Sequence, residues 1–244
     1  MSEWFLGIKD DFIQNFIDNA RWKLLYKGLG HTLVITVFAL IIGIVIGILV
    51  AAVCSSWDKN REAMAMHKGA GYYILAFLQK ICRIYLTVIR GTPAVVQLMI
   101  WYFIIFASSN NGIFVAIICF GVNSGAYVAE IFRSGIMAVD EGQFEAGRSL
   151  GFSYPQTMMY IVIPQAFKTV LPTLVNEFIT LIKETSIAGY VGIMDLTKAG
   201  DLIRNRTYSA FMPLIAVALI YLCMVLLLTR IMGVLERRLR KSER

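Results

Sequence analysis

From Thr32 to Cys54 the chain runs through 23 residues without a charge. As a helix rising about 1.5 Å per residue, such a run covers the roughly 30 Å of a bilayer's hydrocarbon. Only helices and closed barrels satisfy their own backbone there. Further apolar segments follow at Ala94–Ala107, Ile113 to about Arg133, Pro164 to about Ile187 and Ala210 to about Ile231. Hydrophobic residues make up 58% of the chain and charged residues 16%, with a mean hydropathy of +0.67. Soluble domains sit nearer half apolar and a quarter charged. The length alone suits one or two soluble domains. The runs decide for an all-α polytopic membrane bundle of five spans.

Residues 1–28 do not read as a signal peptide, because Glu3, Asp10, Asp11 and Asp18 interrupt any apolar core. Phe5, Ile8, Phe12 and Phe16 recur at helical spacing with charges opposite. That suits either a helix lying in the membrane interface or one packed on the rest of the protein. In the first span, Gly43 and Gly47 form a GxxxG, a pattern that permits close helix packing and is common by chance in membrane helices.

Ser55–Arg90 reads as a loop carrying Lys59, Arg61, Lys68, Lys80, Arg83 and Arg90. Tyr72–Ile89 within it is apolar, but each charge at a span's centre costs about 2.5–3.5 kcal/mol on insertion scales. Lys80 and Arg83 therefore predict an amphipathic segment at the membrane surface. The second span, short at Ala94–Ala107, is expected to start before Pro93. Ser108–Gly112 is an uncharged turn. In the third span Asn123, Tyr127, Glu130 and Ser134 share one face, which belongs toward the bundle interior or an aqueous path. Pro164 is expected to open the fourth span, with Pro172 kinking it. Asn176, Glu177, Thr180, Lys183 and Glu184 make it the most polar span. Gly189–Tyr208 reads as a loop, helical around Ile193–Arg204.

The net charge of +7 is an orientation signal, because its basic residues flank apolar segments and do not line one soluble face. That weighs against nucleic acid as a partner. Arg230, Arg237, Arg238, Arg240, Lys241 and Arg244 place the C-terminus in the cytoplasm. Five spans then put the N-terminus outside, and the 55–90 and 140–163 segments inside. Cys54, Cys82, Cys119 and Cys223 show no CxxC and read as small buried hydrophobes. His31 and His67 are isolated in sequence and read as interface or loop residues. No metal-ligand set stands out, no nucleophile–base constellation sits at a plausible depth, and no Gly-Lys dipeptide occurs.

Asp140–Pro164 is a polar island between apolar spans. Asp140 is expected to cap a first helix, with Gln143 completing the capping pattern. Glu145, Ala146 and Gly147 give that helix a small-residue face, and Gly151 ends it in a left-handed conformation. Ser153 and Gln156 form a capping box for a second helix, with Pro155 in its first turn. A doubly capped helix pair of this kind suggests a docking surface.

Glu145-Ala146-Gly147, three residues, Gly151 and then Ile163-Pro164 resembles the EAA loop of importer-type ABC permeases. It departs once, with Gly147 where that family usually has a second alanine. Arg90-Gly91-Thr92-Pro93 with the following Ala94–Leu98, the stretch Ala126–Arg133, and Leu181–Ser186 resemble the polar amino-acid branch of the same family. The resemblance covers roughly residues 30–235, in order and spacing. It implies the type I importer architecture, with an N-terminal amphipathic extracytoplasmic segment at 1–29, a permease domain at 30–233 containing the coupling loop 140–163, and a basic tail at 234–244. It implies that Glu145, Ala146, Gly147, Arg148 and Gly151 contact an ATPase. ATP and Mg would be held by that separate ATPase pair and no cofactor by this chain. The other implied partners are a second permease copy or homologue, an extracytoplasmic solute-binding protein and the lipid bilayer of a bacterial inner membrane. Asn123, Tyr127, Glu130, Asn176, Glu177, Lys183 and Glu184 are the candidates for the substrate path.

Residue by residue, a structural reading competes with each role. Glu130 and Arg133, three apart on one helix, can pair with each other. Arg90–Pro93 can shape the start of the second span. Lys183 and Glu184 can snorkel or pair at the outer end of the fourth span. Glu177 can pair with Lys183 or a neighbouring helix. A stand-alone secondary transporter or channel is the alternative function: it accounts for the polar stripe and the proline-broken span. It leaves the capped helix pair unexplained, and no two-fold internal repeat is visible.

Overall fold

The computed structural model describes residue 7 and residues 9–66 and 69–241. These are helical with short connections, and five helices are long and apolar enough to cross a membrane: Trp22–Lys59, Ala70–Gly91, Gly112–Met137, Tyr154–Val191 and Phe211–Val234.

The first helix, α1, is a single 45-residue element, Trp22–Met66. At about 67 Å it is twice the hydrocarbon thickness. The loop expected at Ser55–Arg90 is therefore corrected. Ser55–Met66 contains no glycine or proline and is rich in Ala, Met, Glu, Lys and Arg, so nothing stops the helix at the end of its apolar run. The chain returns as α2, Ala70–Gly91, and α3, Ala94–Ile100, which runs on through a π-helical turn at Trp101–Ile105.

The second span does reach back before Pro93. Ala94–Ile105 rises only about 18 Å, and the second half of Ala70–Gly91, itself a long apolar helix, supplies the rest. The break between them is local. Thr92 is extended (φ −121°, ψ 145°), as a residue before proline prefers. Ile84 to Ile105, interrupted only there, carries about 33 Å of helical rise. That leaves Lys80 and Arg83 ahead of the apolar stretch, consistent with the cost of burying them in hydrocarbon.

Helix α4 spans Gly112–Met137, α5 Glu141–Ser149 and α6 Tyr154–Thr157. Pro164 does not open the fourth span. α6 passes through a π-helical turn at Met158–Val162 directly into α7, Ile163–Glu184. The wider turn accommodates a residue that can neither donate a backbone N–H nor tolerate the preceding carbonyl closely. Pro172 lies inside α7, which ends in a 3₁₀ stretch at Thr185–Val191. Leu196–Thr207 forms α8, close to the helix expected in that loop, and Phe211–Lys241 forms α9.

The chain packs as two compact units. The first comprises residues 1–38, 95–120 and 179–235. Its core joins Phe16, Leu25, Leu196, Ala199, Ile203 and Val217. Asn15 is fully buried and accepts from Thr207 Oγ1 at 2.7 Å. Phe16 thus packs on the protein while Phe12 and Ile17 stay exposed, so the N-terminal segment is partly docked. Phe5, Ile8 and His67 lie outside the described residues. Asp195 caps α8 by accepting from Thr197 N and Lys198 N, both at 2.9 Å. Beside it, Leu196 N donates to Thr32 Oγ1, and His31 Nδ1 lies 2.7 Å from Met194 O.

The second unit comprises residues 39–94, 121–178 and 236–244. Here α1 and α4 meet through small residues. A Cβ on Gly43 would lie 3.1 Å from Ser124 Cβ, and one on Gly47 only 2.5 Å from Val128 Cγ1. Gly121 and Gly125 return the contact against Ile42 and Ile46. The GxxxG of α1 is a working helix contact, met by a second GxxxG that the sequence reading passed over. Cys54 and Cys119 are buried, but Cys223 is exposed on α9.

Candidate functional site

Two groups of residues carry chemistry, one along the third and fourth spans and one in the α5–α6 connection. Midway along α4, Ser124 Oγ donates to Glu177 Oε1 of α7 at 2.8 Å. Glu177 was expected on a polar path with Asn123, Tyr127 and Asn176. One partner of Glu177 is Ser124, on the neighbouring helix. Asn123 is buried, whereas Asn176, one residue from Glu177, is exposed on another face of α7. Asn176 stands in register with exposed Thr169 and Thr173, and Thr180 and Lys183 continue that spacing along the same helix. A polar, exposed stripe on a membrane helix belongs toward water or another protein surface, because lipid cannot hydrogen-bond to it. Glu184 is half-buried at the end of α7.

Toward the end of α4 the motif residues form one charge cluster. Arg133 grips Glu130 through Nη2–Oε1 at 2.7 Å and Nε–Oε2 at 3.3 Å, and reaches Asp58 Oδ2 at 3.3 Å. Arg90 Nη1 lies 3.8 Å from Glu130 Oε2, and its guanidinium sits over the Tyr127 ring at 5.7 Å. Pairing within the cluster, the structural reading of Glu130 and Arg133, is what the geometry shows. Thr92 Oγ1 donates to Val88 O across the break, so Arg90–Pro93 shapes the kink between α2 and α3.

The α5–α6 pair forms as its caps dictate. Asp140 Oδ1 accepts from Gly142 N at 2.7 Å. Gln143 does not complete a reciprocal cap; its Oε1 accepts from Gln165 Nε2 at 3.0 Å and ties α5 to the start of α7. Gly151 has φ +80°, and Phe152 N donates to Gly147 O at 3.0 Å, closing the helix end. Ser153 N donates to Gln156 Oε1 at 2.8 Å. Lys59 Nζ contacts Glu141 Oε1 at 3.1 Å and lies over the Phe144 ring, so the far end of α1 supports the pair.

One expectation for this pair is corrected. Gly147 is not part of an exposed face. It is buried, and a Cβ there would lie 2.6 Å from Thr157 Cγ2. Its smallness lets α5 and α6 pack on each other. Glu145, Ala146 and Arg148 are exposed, and so is Leu150 at 72%. Leu150 was missed by sequence reasoning, although an apolar residue between a polar helix and its glycine stop is itself a signal.

Residues 65–241 match the model of the binding-protein-dependent transport system inner membrane component family. The chain belongs to that family. The permease is 35% identical to the glutamine transport system permease of Escherichia coli over 231 residues, covering 91% of this chain and 97% of that protein. It is 41% identical to the arginine transport system permease of Bacillus subtilis over 162 residues, 65% of this chain and 74% of that one. Among solved structures, an amino acid ABC transporter crystallised with histidines superposes with a TM-score of 0.78 at 36% identity, covering 91% of this chain and 98% of that chain. The inward-facing MetNI methionine ABC transporter matches at a TM-score of 0.75 and 21% identity, covering 89% and 97%. The last likeness supports the fold alone. The permease is a multi-pass transport subunit and not an enzyme.

Proposed function

We propose that the permease forms the translocation path of an ATP-driven importer for polar amino acids and is driven through its α5–α6 pair by a separate ATPase. The observation that carries this reading is the pair itself: two capped helices, closed by a left-handed Gly151, presenting Glu145, Ala146, Arg148 and Leu150 outward. Family membership supports it, and relatives named for glutamine and arginine transport support the substrate class.

In this reading the pair and the C-terminus face the cytoplasm, and a solute-binding protein delivers substrate on the opposite side. Two copies, or one copy and a homologue, surround the path. ATP and Mg are bound by the two ATPase subunits, whose closure moves the paired loops. The polar stripe on α7 and the Ser124–Glu177 pair supply the polar lining such a path needs.

The test is co-purification. The tagged permease, co-expressed with a candidate ATPase from the same organism, should retain that subunit, and Gly151→Asp should insert into the membrane yet lose it or lose stimulated hydrolysis. The left-handed φ of Gly151 favours glycine, and a carboxylate at that exposed position would stand on the face proposed to meet the ATPase. Unchanged assembly and turnover in that variant would remove the loop from the transmission path.

A further inference from the structure

A basic cleft opens between the end of α1 and the middle of α2. It has a volume of about 460 Å³ and is lined by Trp57, Arg61, Gln79, Lys80, Arg83 and Thr87, with apolar residues at its edge. That volume is within the roughly 300–1,000 Å³ of small-molecule sites. Three cations converge on it. Three neighbouring cations of this unit meet carboxylates: Lys59 with Glu141, Arg90 with Glu130, Arg133 with Glu130 and Asp58. Lys80 and Arg83 are exposed and have no carboxylate within 4 Å among the described residues. Gln79 is almost fully buried, and its Oε1 has no hydrogen-bond partner among those residues.

The cleft's level follows from α1. Trp57 and Arg61 come just after the uncharged run that ends at Cys54, where a spanning helix meets the headgroups. The Trp57 ring lies 5.6 Å from that of Tyr72, an aromatic pair suited to that level. On α2, Tyr73, Phe77, Ile81, Ile84 and Val88 form an exposed apolar stripe at helical spacing. Ile84 and Val88 also edge the cleft. An anion seated among the cations therefore has an apolar track leading away from it.

We propose that this cleft binds the phosphate of an anionic phospholipid, with an acyl chain along the α2 stripe. Basic recesses between membrane helices at the cytoplasmic level hold such headgroups, and each Lys or Arg near an anionic surface contributes about 1 kcal/mol, or about five-fold in affinity. A soluble anion needs the cations but not the stripe. Assignment to the cytoplasmic leaflet rests on the orientation proposed above; the binding itself does not.

The experiment uses the permease with its ATPase in detergent, with bound lipid counted by native mass spectrometry. The probe is an equimolar mixture of phosphatidylglycerol and phosphatidylcholine. The wild type should retain phosphatidylglycerol selectively. Arg61→Gln with Lys80→Gln and Arg83→Gln should lower its affinity about a hundred-fold and leave phosphatidylcholine unchanged. The charge-preserving Lys80→Arg with Arg83→Lys should bind within a few-fold of wild type. If the triple variant does not assemble, each single variant should still show about a five-fold loss. Equal retention of both lipids, or undiminished phosphatidylglycerol in the charge-removed variants, overturns the proposal. Displacement of lipid by glycerol phosphate at equal concentration would assign the cleft to a soluble anion and overturns it too. Loss of lipid selectivity with the ATPase still bound defeats the lipid site alone, whereas absence of the ATPase from the wild type defeats the importer reading and leaves the lipid count standing.

Discussion

Ser124 Oγ donates to Glu177 Oε1 at 2.8 Å, joining the third and fourth spans near their middles. An ionised glutamate at that depth requires a donor, a counter-charge or water. The Ser124 hydroxyl is one such donor, and a substrate ammonium group carries the charge that suits a carboxylate.

Glu177→Gln should therefore cut substrate uptake about ten-fold or more while leaving ATPase assembly and basal hydrolysis intact. Ser124→Ala should have the smaller effect, because it leaves the carboxylate itself in place. Uptake kinetics in proteoliposomes decide it: an unchanged profile for Glu177→Gln removes this residue from the path.

Gly147 and Thr157 supply a second prediction. Gly147→Ala gains helix propensity of about 1 kcal/mol but drives a methyl into Thr157, an overpacking cost of about 1–3 kcal/mol. ATP-stimulated hydrolysis should fall in Gly147→Ala and recover in the double variant with Thr157→Ala, which removes the two clashing atoms. Equal activity of the single and double variants would mean that the helix pair is not held by this contact.

The spans were legible in the sequence because membrane insertion is written in composition: a charge-free run from Thr32 to Cys54 has few other fates. Their ends were not. Ser55–Met66 extends α1 on helix propensity without an apolar stripe, and the sequence gives no stop until Gly69. Pro164 marked a helix start by the usual rule, yet a π-helical turn absorbed it. In the loop, Gly151 was readable because only a few residues accept φ +80°. The role of Gly147 was not, because its neighbour Thr157 is ten residues away and on another helix. Ser124 was overlooked beside Asn123, since a serine between small residues reads as packing until its partner is known.

Topology is open to direct measurement. In a cysteine-free background, a cysteine at exposed Ser153 should react only with reagent added from the cytoplasm, and one at Asn110 only from outside. Gly147 is unsuitable for labelling because it is buried. The opposite pattern contradicts the orientation and the importer reading with it.

Asp195 predicts a pH dependence. Burial pushes its carboxyl above the usual range, although the N–H groups of Lys198 and Thr197 pull the other way. Below the ordinary value of 3.8 its contribution to folding is fully present, and it is lost as pH rises through the raised value. Asp195→Asn keeps the cap without the titration, so it should match or exceed wild-type stability at pH 7 and flatten this part of the profile. Asp195→Ala should lose about 0.5–2 kcal/mol at low pH, and less as pH rises. Thermal melts in detergent from pH 4 to 8 measure both, and a steeper profile for Asp195→Asn would contradict the sign.

The central claim is that ATP hydrolysis by another subunit drives solute through this chain. Proteoliposomes containing the permease, its ATPase and the binding protein should accumulate radiolabelled glutamine only when ATP reaches the ATPase face and the binding protein is on the opposite side. Accumulation driven by a proton or sodium gradient, without ATP or the ATPase, would instead identify a secondary transporter.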